Sequence, residues 1–320
     1  MTVYSRIVVT GGAGFIGSHL VDRLLTEGFE VTIIDNFDTG QPDNVSSHKN
    51  LQIVRGDIRD RTLVRRTVKG ADAVFHEAAF ASVVLSNRDP LVANEINVAG
   101  TLNLLKASSD LGVKRFIYAS SAAVYGNARV MQKREDMALD PNSPYGVSKL
   151  AAEKYVKVFN DLYGLETVSL RYFNVYGPRQ RLDEKWAYGG VINIFLDRLL
   201  RNMPPVIHGD GQQTRDFVYV KDVVEANVLA LKNNRAAGEA FNIGTGKKVT
   251  VNKVARLLKK ITKKSSLQDV YSDPRPGDVR HGYADITKAG RILAYKPKFS
   301  LEQGLTELVD WYVQRRSNKQ

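Results

Sequence analysis

The sequence predicts an α/β fold in which a doubly wound parallel sheet is followed by a smaller C-terminal α+β lobe. Apolar, strand-like runs alternate with helical segments through the first half; the runs lie at residues 6–10, 31–34, 51–55, 73–76 and 115–120. Regular alternation of this kind favours parallel strands joined by right-handed crossovers. After residue 171 the chain changes to short strands and helices interrupted by prolines. We therefore expect one domain over 1–172 and a smaller lobe over 173–320, with the chain crossing between them.

The first predicted strand runs directly into a glycine-rich turn, Gly-Gly-Ala-Gly-Phe-Ile-Gly at residues 11–17, and then into a helix. Glycines allow a tight turn here and bring backbone N–H groups and the helix N-terminus close to a pyrophosphate. The second strand ends on Asp35, 18 residues after Gly17, near the spacing of about 20 that places a carboxylate on the adenosine ribose. Such a carboxylate repels a 2′-phosphate. The sequence thus predicts a Rossmann-type domain that binds NAD rather than NADP.

Another helix is predicted to begin in the stretch Ser-Pro-Tyr-Gly-Val-Ser-Lys at residues 143–149 and to continue to about residue 163. Ser143 can cap this helix, and Pro144 suits its first turn. Tyr145 and Lys149 stand four residues apart and share one helix face, so we expect the ammonium to favour the ionised phenol. A free phenol has a pKa near 10, and a lower pKa would allow Tyr145 to act as a general base.

The composition is that of an ordinary globular protein, with 43% hydrophobic and 25% charged residues among 320. The chain has no cysteine, which excludes disulfides, thiolate metal sites and a cysteine nucleophile, and we expect no bound metal. It opens on an apolar strand rather than a signal segment and lacks a run of about 20 apolar residues. We therefore expect a cytoplasmic protein without integral membrane association.

The formal charge of +12 is concentrated in the segment 247–264, which holds eight Lys or Arg and no acid. Interleaved aromatics and a nucleic-acid motif are both missing there, so we expect no nucleic-acid partner. The pattern indicates a helix over 251–261 that buries Val254, Leu257, Leu258 and Ile261 and exposes its lysines to solvent. Weak attachment to an anionic membrane surface stays open.

Several polar residues follow predicted strand ends, where ligands of doubly wound sheets bind. These residues are Asp35, Asp57, His76 and Ser121. We interpret His76 as a structural, hydrogen-bonding residue rather than a catalyst.

Four motifs occur in order: the glycine turn, Ser-Ser-Ala-Ala-Val-Tyr-Gly at 120–126, Tyr-Gly-Val-Ser-Lys at 145–149, and Arg-Tyr-Phe-Asn-Val-Tyr-Gly at 171–177. On these motifs the chain resembles the extended short-chain dehydrogenase/reductase family over nearly its whole length. Within that family it is similar to the nucleotide-sugar 4-epimerases. The segment 277–288 is most similar to those that act on UDP-N-acetylglucosamine.

The resemblance implies a redox mechanism with NAD as the cofactor. Tyr145 would take the proton of the sugar 4-hydroxyl while hydride passes from C4 to the nicotinamide, with Ser121 helping to pass the proton. Lys149 would stabilise the phenolate and bind the nicotinamide ribose. The 4-keto sugar would then turn over and take the hydride back on its other face, so NAD stays bound. The implied NAD-binding residues are Gly11, Gly14, Phe15, Ile16, Gly17, Asp35, Asn36, Thr39, Gly40, Asp57, Ile58, Ala78, Ala79, Asn97, Tyr145, Lys149 and Tyr172.

The resemblance also implies a UDP-sugar substrate. Arg215 and Arg275 suit its diphosphate, because guanidinium groups bind phosphate oxygens bidentately. Gly282 aligns with a position where a bulky residue confines relatives to unacetylated sugars, so we expect UDP-N-acetylglucosamine and UDP-N-acetylgalactosamine, with UDP-glucose and UDP-galactose as further substrates. The implied substrate-binding residues are Ser82, Ser121, Asn174, Val191, Arg215, Arg275, Asp278 and Gly282.

Two alanines argue against one related activity. The family's 4,6-dehydratases carry an acid pair after the catalytic hydroxyl residue, where this chain has Ala122 and Ala123. Three alternatives stay open: a UDP-glucuronate 4-epimerase, a net nucleotide-sugar oxidoreductase and a non-catalytic NAD-binding regulatory protein. The resemblance further implies a homodimer formed through helices near 89–111 and 144–163.

Overall fold

A seven-stranded, wholly parallel sheet forms the centre of the protein, with the strand order β12 (Glu239–Ile243), β7 (Glu166–Tyr172), β5 (Arg115–Ser121), β4 (Ala73–His76), β1 (Arg6–Thr10), β2 (Glu30–Asp35) and β3 (Leu51–Arg55). The computed structural model describes residues 4–126, 128, 130–181, 190–274 and 280–317. The predicted α/β class with a doubly wound sheet is confirmed.

The elements of the first half alternate as expected. The strands are β1 (Arg6–Thr10), β2 (Glu30–Asp35), β3 (Leu51–Arg55), β4 (Ala73–His76), β5 (Arg115–Ser121), β6 (Gln132–Lys133) and β7 (Glu166–Tyr172). The α-helices are α1 (Phe15–Thr26), α2 (Arg61–Val68), α3 (Val83–Arg88), α4 (Pro90–Asn94), α5 (Thr101–Asp110) and α6 (Pro144–Tyr163).

The second half supplies shorter strands and five more helices within the described residues. The strands are β8 (Asn174–Tyr176), β9 (Val206–His208), β10 (Thr214–Arg215), β11 (Phe217–Tyr219), β12 (Glu239–Ile243), β13 (Val249–Thr250), β14 (Val270–Ser272) and β15 (Tyr283–Ala284). The helices are α7 (Val191–Leu200), α8 (Val220–Lys232), α9 (Val251–Ile261), α10 (Thr287–Leu293) and α11 (Leu301–Ser317).

Both faces of the central sheet are covered by helices, which explains why its strands are apolar throughout. Helices α1 and α8 pack on one face through side chains such as Leu20 and Val228. Helices α2, α5 and α6 pack on the other through Val64, Leu104 and Val156. Because all seven strands are parallel, their carboxyl ends meet at one edge of the sheet.

Strand β12 completes the central sheet, although it lies far beyond residue 172 in the sequence. It pairs in parallel with β7, with Glu239 opposite Val168 and Ile243 opposite Tyr172. Phe241 and Ile243 are fully buried there. The chain thus returns from the smaller lobe to the sheet.

The long helix predicted over 89–111 contains an irregularity. Residues Glu95–Gly100 adopt a π-helix between α4 and α5. The wider turn contains the buried Asn97, whose side chain accepts from the Phe80 N–H (2.8 Å) and donates to the Phe80 carbonyl (3.2 Å) and the Ser148 hydroxyl (2.9 Å). Such π segments often occur near functional sites.

The smaller lobe has its own core, built from α7, α9 and α11 around residues such as Phe195, Leu258 and Leu305. The basic helix α9 buries Val254 and Leu258 in this core, as the sequence predicts, and packs Leu257 and Ile261 against it while they stay partly exposed. Lys260 is exposed and pairs with Glu302. Lys259 is only 14% exposed because it pairs with Asp269, so the expectation that the lysines of this helix are solvated is wrong for Lys259. None of the helices within the described ranges is long and apolar enough to cross a membrane.

Candidate active site

The glycine turn between β1 and α1 lines a cleft of about 290 Å³ at the carboxyl edge of the sheet, which we call the glycine-loop cleft. Gly11 adopts a φ of +68°, and a Cβ there would lie 2.8 Å from the Ala78 nitrogen. A Cβ on Gly17 would lie 2.1 Å from the carbonyl oxygen of Gly11. Both positions therefore require glycine, which keeps the backbone close to anything bound in the cleft.

Helix α1 points its N-terminus into this cleft, and its cap residue Gly14 offers no side chain to its first N–H groups. Those donors suit a phosphate. Asp35 lies beside the glycine turn, and its carboxylate accepts from the backbone N–H groups of Ala13 (2.9 Å) and Phe37 (2.8 Å). Burial raises the pKa of Asp35, and the two N–H groups oppose that rise. Gly40 packs against the carboxylate, since a Cβ there would lie 2.7 Å from Asp35 Oδ1.

Most residues predicted to bind NAD line the glycine-loop cleft. They are Gly11, Gly14, Phe15, Ile16, Gly17, Asp35, Asn36, Thr39, Asp57, Ile58, Ala78 and Ala79. Ser82, predicted to bind substrate, lines the same cleft. Asn97 and Tyr172 are instead buried, with Asn97 supporting the cleft wall through Phe80.

Several residues of this cleft were not predicted from the sequence, among them Arg179 and Gln180. Arg179 adopts a φ of +68° and binds Asp22 through Nη2 (2.7 Å). Its Nη1 and the Gln180 Oε1 are buried without a hydrogen-bond partner among the described residues. A buried donor and acceptor of this kind suit a polar ligand. Together with the glycine turn, they fit a dinucleotide.

The predicted catalytic residues meet at the end of β5 and the start of α6. Ser143 caps α6 by accepting from the Gly146 N–H (3.1 Å), and Tyr145 follows in the first turn. The Tyr145 hydroxyl hydrogen-bonds with Ser121, the last residue of β5. Lys149 donates to the Ala119 carbonyl (2.7 Å), and its Nζ lies 4.9 Å from the centre of the Tyr118 ring.

The electrostatics of this group differ from the sequence prediction. Burial raises the pKa of Tyr145 above its ordinary value near 10, and the hydrogen bond from Ser121 only partly opposes this. Burial lowers the pKa of Lys149 to about 8. The expectation that the Tyr145 pKa lies below its ordinary value is therefore wrong for the protein alone, because desolvation of the phenol dominates.

A second cleft, of about 180 Å³, lies in the smaller lobe, and we call it the Arg215 cleft. It brings together three predicted substrate residues, Asn174, Val191 and Arg215. The Arg215 guanidinium donates to the Thr214 carbonyl (3.0 Å), and Asn174 donates to the Asp216 carbonyl (3.0 Å). Gln180 lines both clefts, so they adjoin.

The remaining predicted substrate residues lie elsewhere. Arg275 and Asp278 lie outside the described residues. Gly282 immediately precedes β15, which pairs with β6 in the segment after Ser121. Among the described residues, the nearest atom to a Cβ on Gly282 is the Lys133 Cε at 4.0 Å, an ordinary contact distance, so a methyl group would fit at this position.

His76 is a structural residue, as the sequence predicts. It is buried between Thr10 and Thr101, with each ring nitrogen 2.8 Å from a hydroxyl. Burial lowers its pKa to about 3, so it stays neutral. Within the described ranges, no three His, Asp or Glu side chains are grouped to hold a metal ion.

The comparisons with known proteins agree with this geometry. The sequence model of the NAD dependent epimerase/dehydratase family matches residues 7–244. The UDP-glucose 4-epimerase of Mycolicibacterium smegmatis is 36% identical, over 96% of this chain and 98% of its own. The crystal structure of the UDP-glucose 4-epimerase of Thermotoga maritima with UDP-glucose is 42% identical with a TM-score of 0.91, covering 97% of this chain and 99% of its own.

A further solved structure is the UDP-N-acetylglucosamine 4-epimerase of Methanobrevibacter ruminantium M1 in complex with UDP-N-acetylmuramic acid. It is 40% identical to this chain and has a TM-score of 0.92. The match covers 98% of this chain and 100% of the chain in that structure. These matches span nearly the whole chain, and they confirm the predicted resemblance and the NAD cofactor. The protein is an enzyme that belongs to the NAD dependent epimerase/dehydratase family.

Proposed function

We propose that this enzyme inverts C4 of a UDP-hexose through a 4-keto sugar, with NAD retained in the glycine-loop cleft. The observation that carries the proposal is the hydrogen-bonded pair of Ser121 and Tyr145 beside the buried Lys149. The adjoining Arg215 cleft supplies a place for a nucleotide diphosphate. Relatives named as UDP-sugar 4-epimerases, similar over nearly their whole length, support the same assignment.

In this mechanism the chain's own residues handle the proton. Bound NAD supplies the hydride acceptor and donor at sugar C4. Tyr145 removes the proton of the 4-hydroxyl and later returns it, and Ser121 keeps the phenol oriented and passes the proton. Lys149 is held by Ala119 one helical turn beyond Tyr145, where its positive charge favours the phenolate.

The side chains after Ser121 favour epimerisation over elimination. Ala122 and Ala123 begin a short 3-10 helix, and the Ala123 N–H is held by the Ser121 hydroxyl (3.1 Å). A methyl group can neither give nor take a proton, so these positions lack the acid and base that loss of water requires. We therefore assign proton transfer to Tyr145 and Ser121.

For the substrate, we propose UDP-N-acetylglucosamine and UDP-N-acetylgalactosamine. Arg215 and Arg275 would bind the diphosphate with Asn174, while Val191 would contact the uracil and Asp278 the uridine ribose. The distance of 4.0 Å from a Cβ on Gly282 to its nearest neighbour among the described residues supports room for an N-acetyl group. UDP-glucose and UDP-galactose, which lack that group, would also enter the pocket. UDP-glucuronate is the competing candidate substrate, and turnover assays with each UDP-sugar distinguish it from the acetylated pair.

We expect purified protein, with no NAD added, to interconvert the acetylated pair, and Gly282→Tyr to suppress that reaction selectively. A phenol ring at position 282 would fill the space proposed for the acetyl group. Among the described residues, the nearest atom to a Cβ there is the Lys133 Cε, 4.0 Å away. We expect kcat/KM for the acetylated pair to fall about tenfold or more relative to the unacetylated pair. The measurement is NMR of a panel containing UDP-N-acetylglucosamine, UDP-glucose and UDP-glucuronate.

Gly282→Ala is the matched control and should leave the ratio between the two pairs unchanged. Equal loss for both pairs in Gly282→Tyr would refute the pocket assignment. Turnover of UDP-glucuronate alone would replace the proposed substrate. Stoichiometric consumption of added NADH would instead indicate a net reductase.

We also propose a cytoplasmic homodimer in which residues 1–172 bind NAD, residues 173–320 bind substrate, and β12 returns to the sheet. Helix α6 supports the dimer, since it exposes five apolar side chains. They are Val147, Tyr155, Val158, Leu162 and Tyr163. Exposed apolar faces of this kind mark association surfaces.

A further inference from the structure

Glu77 is an acidic residue at the centre of the site whose role the proposed mechanism leaves open. It follows β4 directly and lines the glycine-loop cleft. Strand register places His76 opposite Tyr118 on β5, so Glu77 lies beside Ala119. The Ala119 carbonyl holds the Lys149 ammonium. Glu77 and the Lys149 ammonium therefore lie near the carboxyl ends of the neighbouring strands β4 and β5.

Two consecutive hydrogen bonds, through Tyr172 and Asn227, hold the Glu77 carboxyl group in place. The Tyr172 hydroxyl donates to Glu77 Oε1 at 2.8 Å, and Asn227 Nδ2 lies 2.7 Å from the Tyr172 oxygen. Asn227 Nδ2 also donates to the Val223 carbonyl (3.0 Å), which fixes the amide orientation. The single proton of Tyr172 is therefore committed to Glu77.

Glu77 and Lys149 influence each other's charge. Burial raises the pKa of Glu77 to about 7, and Lys149 and the Tyr172 hydrogen bond oppose this. Burial lowers the pKa of Lys149 to about 8, and Glu77 opposes this. The other titratable side chains around the pair stay neutral near pH 7, because burial lowers the pKa of the histidine and raises those of the tyrosines; they are His76, Tyr118, Tyr145 and Tyr172.

We propose that Glu77 is a positioning residue whose carboxylate, held by Tyr172, keeps Lys149 protonated beside Tyr145. The inference rests on the proposed function, because a cationic Lys149 is what favours the Tyr145 phenolate. Since an anion raises the pKa of a nearby ammonium, losing the Glu77 charge must lower the pKa of Lys149. Activity that requires protonated Lys149 is lost as the pH rises through the Lys149 pKa. The alkaline limb of the profile of kcat/KM against pH must therefore move to lower pH when the Glu77 charge is removed.

Glu77→Gln tests this, because glutamine has the same shape and keeps an oxygen that can accept from Tyr172. Purified enzyme labelled with ¹³C at the lysine ε-carbons would be titrated by NMR, and Lys149 assigned with Lys149→Met. We expect the Lys149 titration to move to lower pH by about one pH unit. The alkaline limb of the kcat/KM profile should move in the same direction by a similar amount.

Glu77→Asp is the matched control, since it keeps the charge and should leave Lys149 titrating close to its wild-type pH. An unmoved Lys149 titration in Glu77→Gln would overturn the proposal, as would equal shifts in both variants. A moved titration with an unmoved alkaline limb would overturn the catalytic role. The lysine titration needs no substrate, so failure of the proposed epimerase activity would be seen separately in the wild-type assay.

Discussion

Replacing Tyr145 with phenylalanine is expected to lower kcat by about 10²–10⁴-fold, the range that a general acid–base group contributes. The variant removes the hydroxyl that hydrogen-bonds with Ser121 and leaves the ring and the Ser143 cap of α6 in place. Binding of the nucleotide should therefore persist, because the proposed UDP-binding residues lie in the Arg215 cleft. Calorimetry with UDP and an NMR turnover assay measure the two properties on one preparation.

Tyr155→Phe is a suitable control, because Tyr155 is on the same helix and is 41% exposed. It should retain wild-type turnover. Full activity in Tyr145→Phe would remove this residue from the mechanism. Equal losses of UDP binding and turnover would show that the variant damages the fold rather than the chemistry.

The second large effect is expected from Gly17→Ala. The new methyl group would lie 2.1 Å from the Gly11 carbonyl oxygen and 3.1 Å from the Gly12 Cα, so the glycine turn must move. We expect the dissociation constant for NAD to rise by about tenfold or more, equivalent to about 1.4 kcal/mol or more of binding free energy. The measurement is the NAD content of purified protein, followed by titration with added NAD.

Gly290→Ala provides the matched control. Gly290 lies within α10, and a Cβ there would have an ordinary contact of 3.6 Å with the Tyr295 carbonyl. Alanine favours a helix over glycine, so the control should fold at least as well as wild type and keep its NAD. Wild-type NAD affinity in Gly17→Ala would contradict the assignment of the glycine-loop cleft.

Local sequence patterns predicted the parts of the site whose residues lie close together in the chain. The glycine turn needs only a strand, a helix and the spacing between them, and the start of α6 is specified by Ser143 and Pro144. The alternation of apolar runs likewise predicted the parallel sheet. The glycine turn and the start of α6 depend on contacts within about 20 residues, and the alternation of strands and helices is likewise visible along the chain although the strands pair over longer distances.

Features that depend on distant contacts were not predictable from such patterns. Strand β12 pairs with β7 and buries Phe241 and Ile243 in the core. No local sequence pattern indicates which strand it pairs with. The orientation and the pKa of Glu77 depend on Tyr172 and Lys149, which are far away in the sequence. Likewise, the effect of burial on the Tyr145 phenol emerges only once several elements enclose it.

The central claim, epimerisation at C4 by reversible hydride transfer, is tested most directly with UDP-N-acetylglucosamine deuterated at C4. The sugar is incubated with purified enzyme and no added NAD, and the products are observed by NMR. We predict UDP-N-acetylgalactosamine that retains deuterium at C4, because the same hydride leaves and returns while Tyr145 exchanges only the hydroxyl proton. Product carrying protium at C4, or no product from any UDP-hexose, would contradict it.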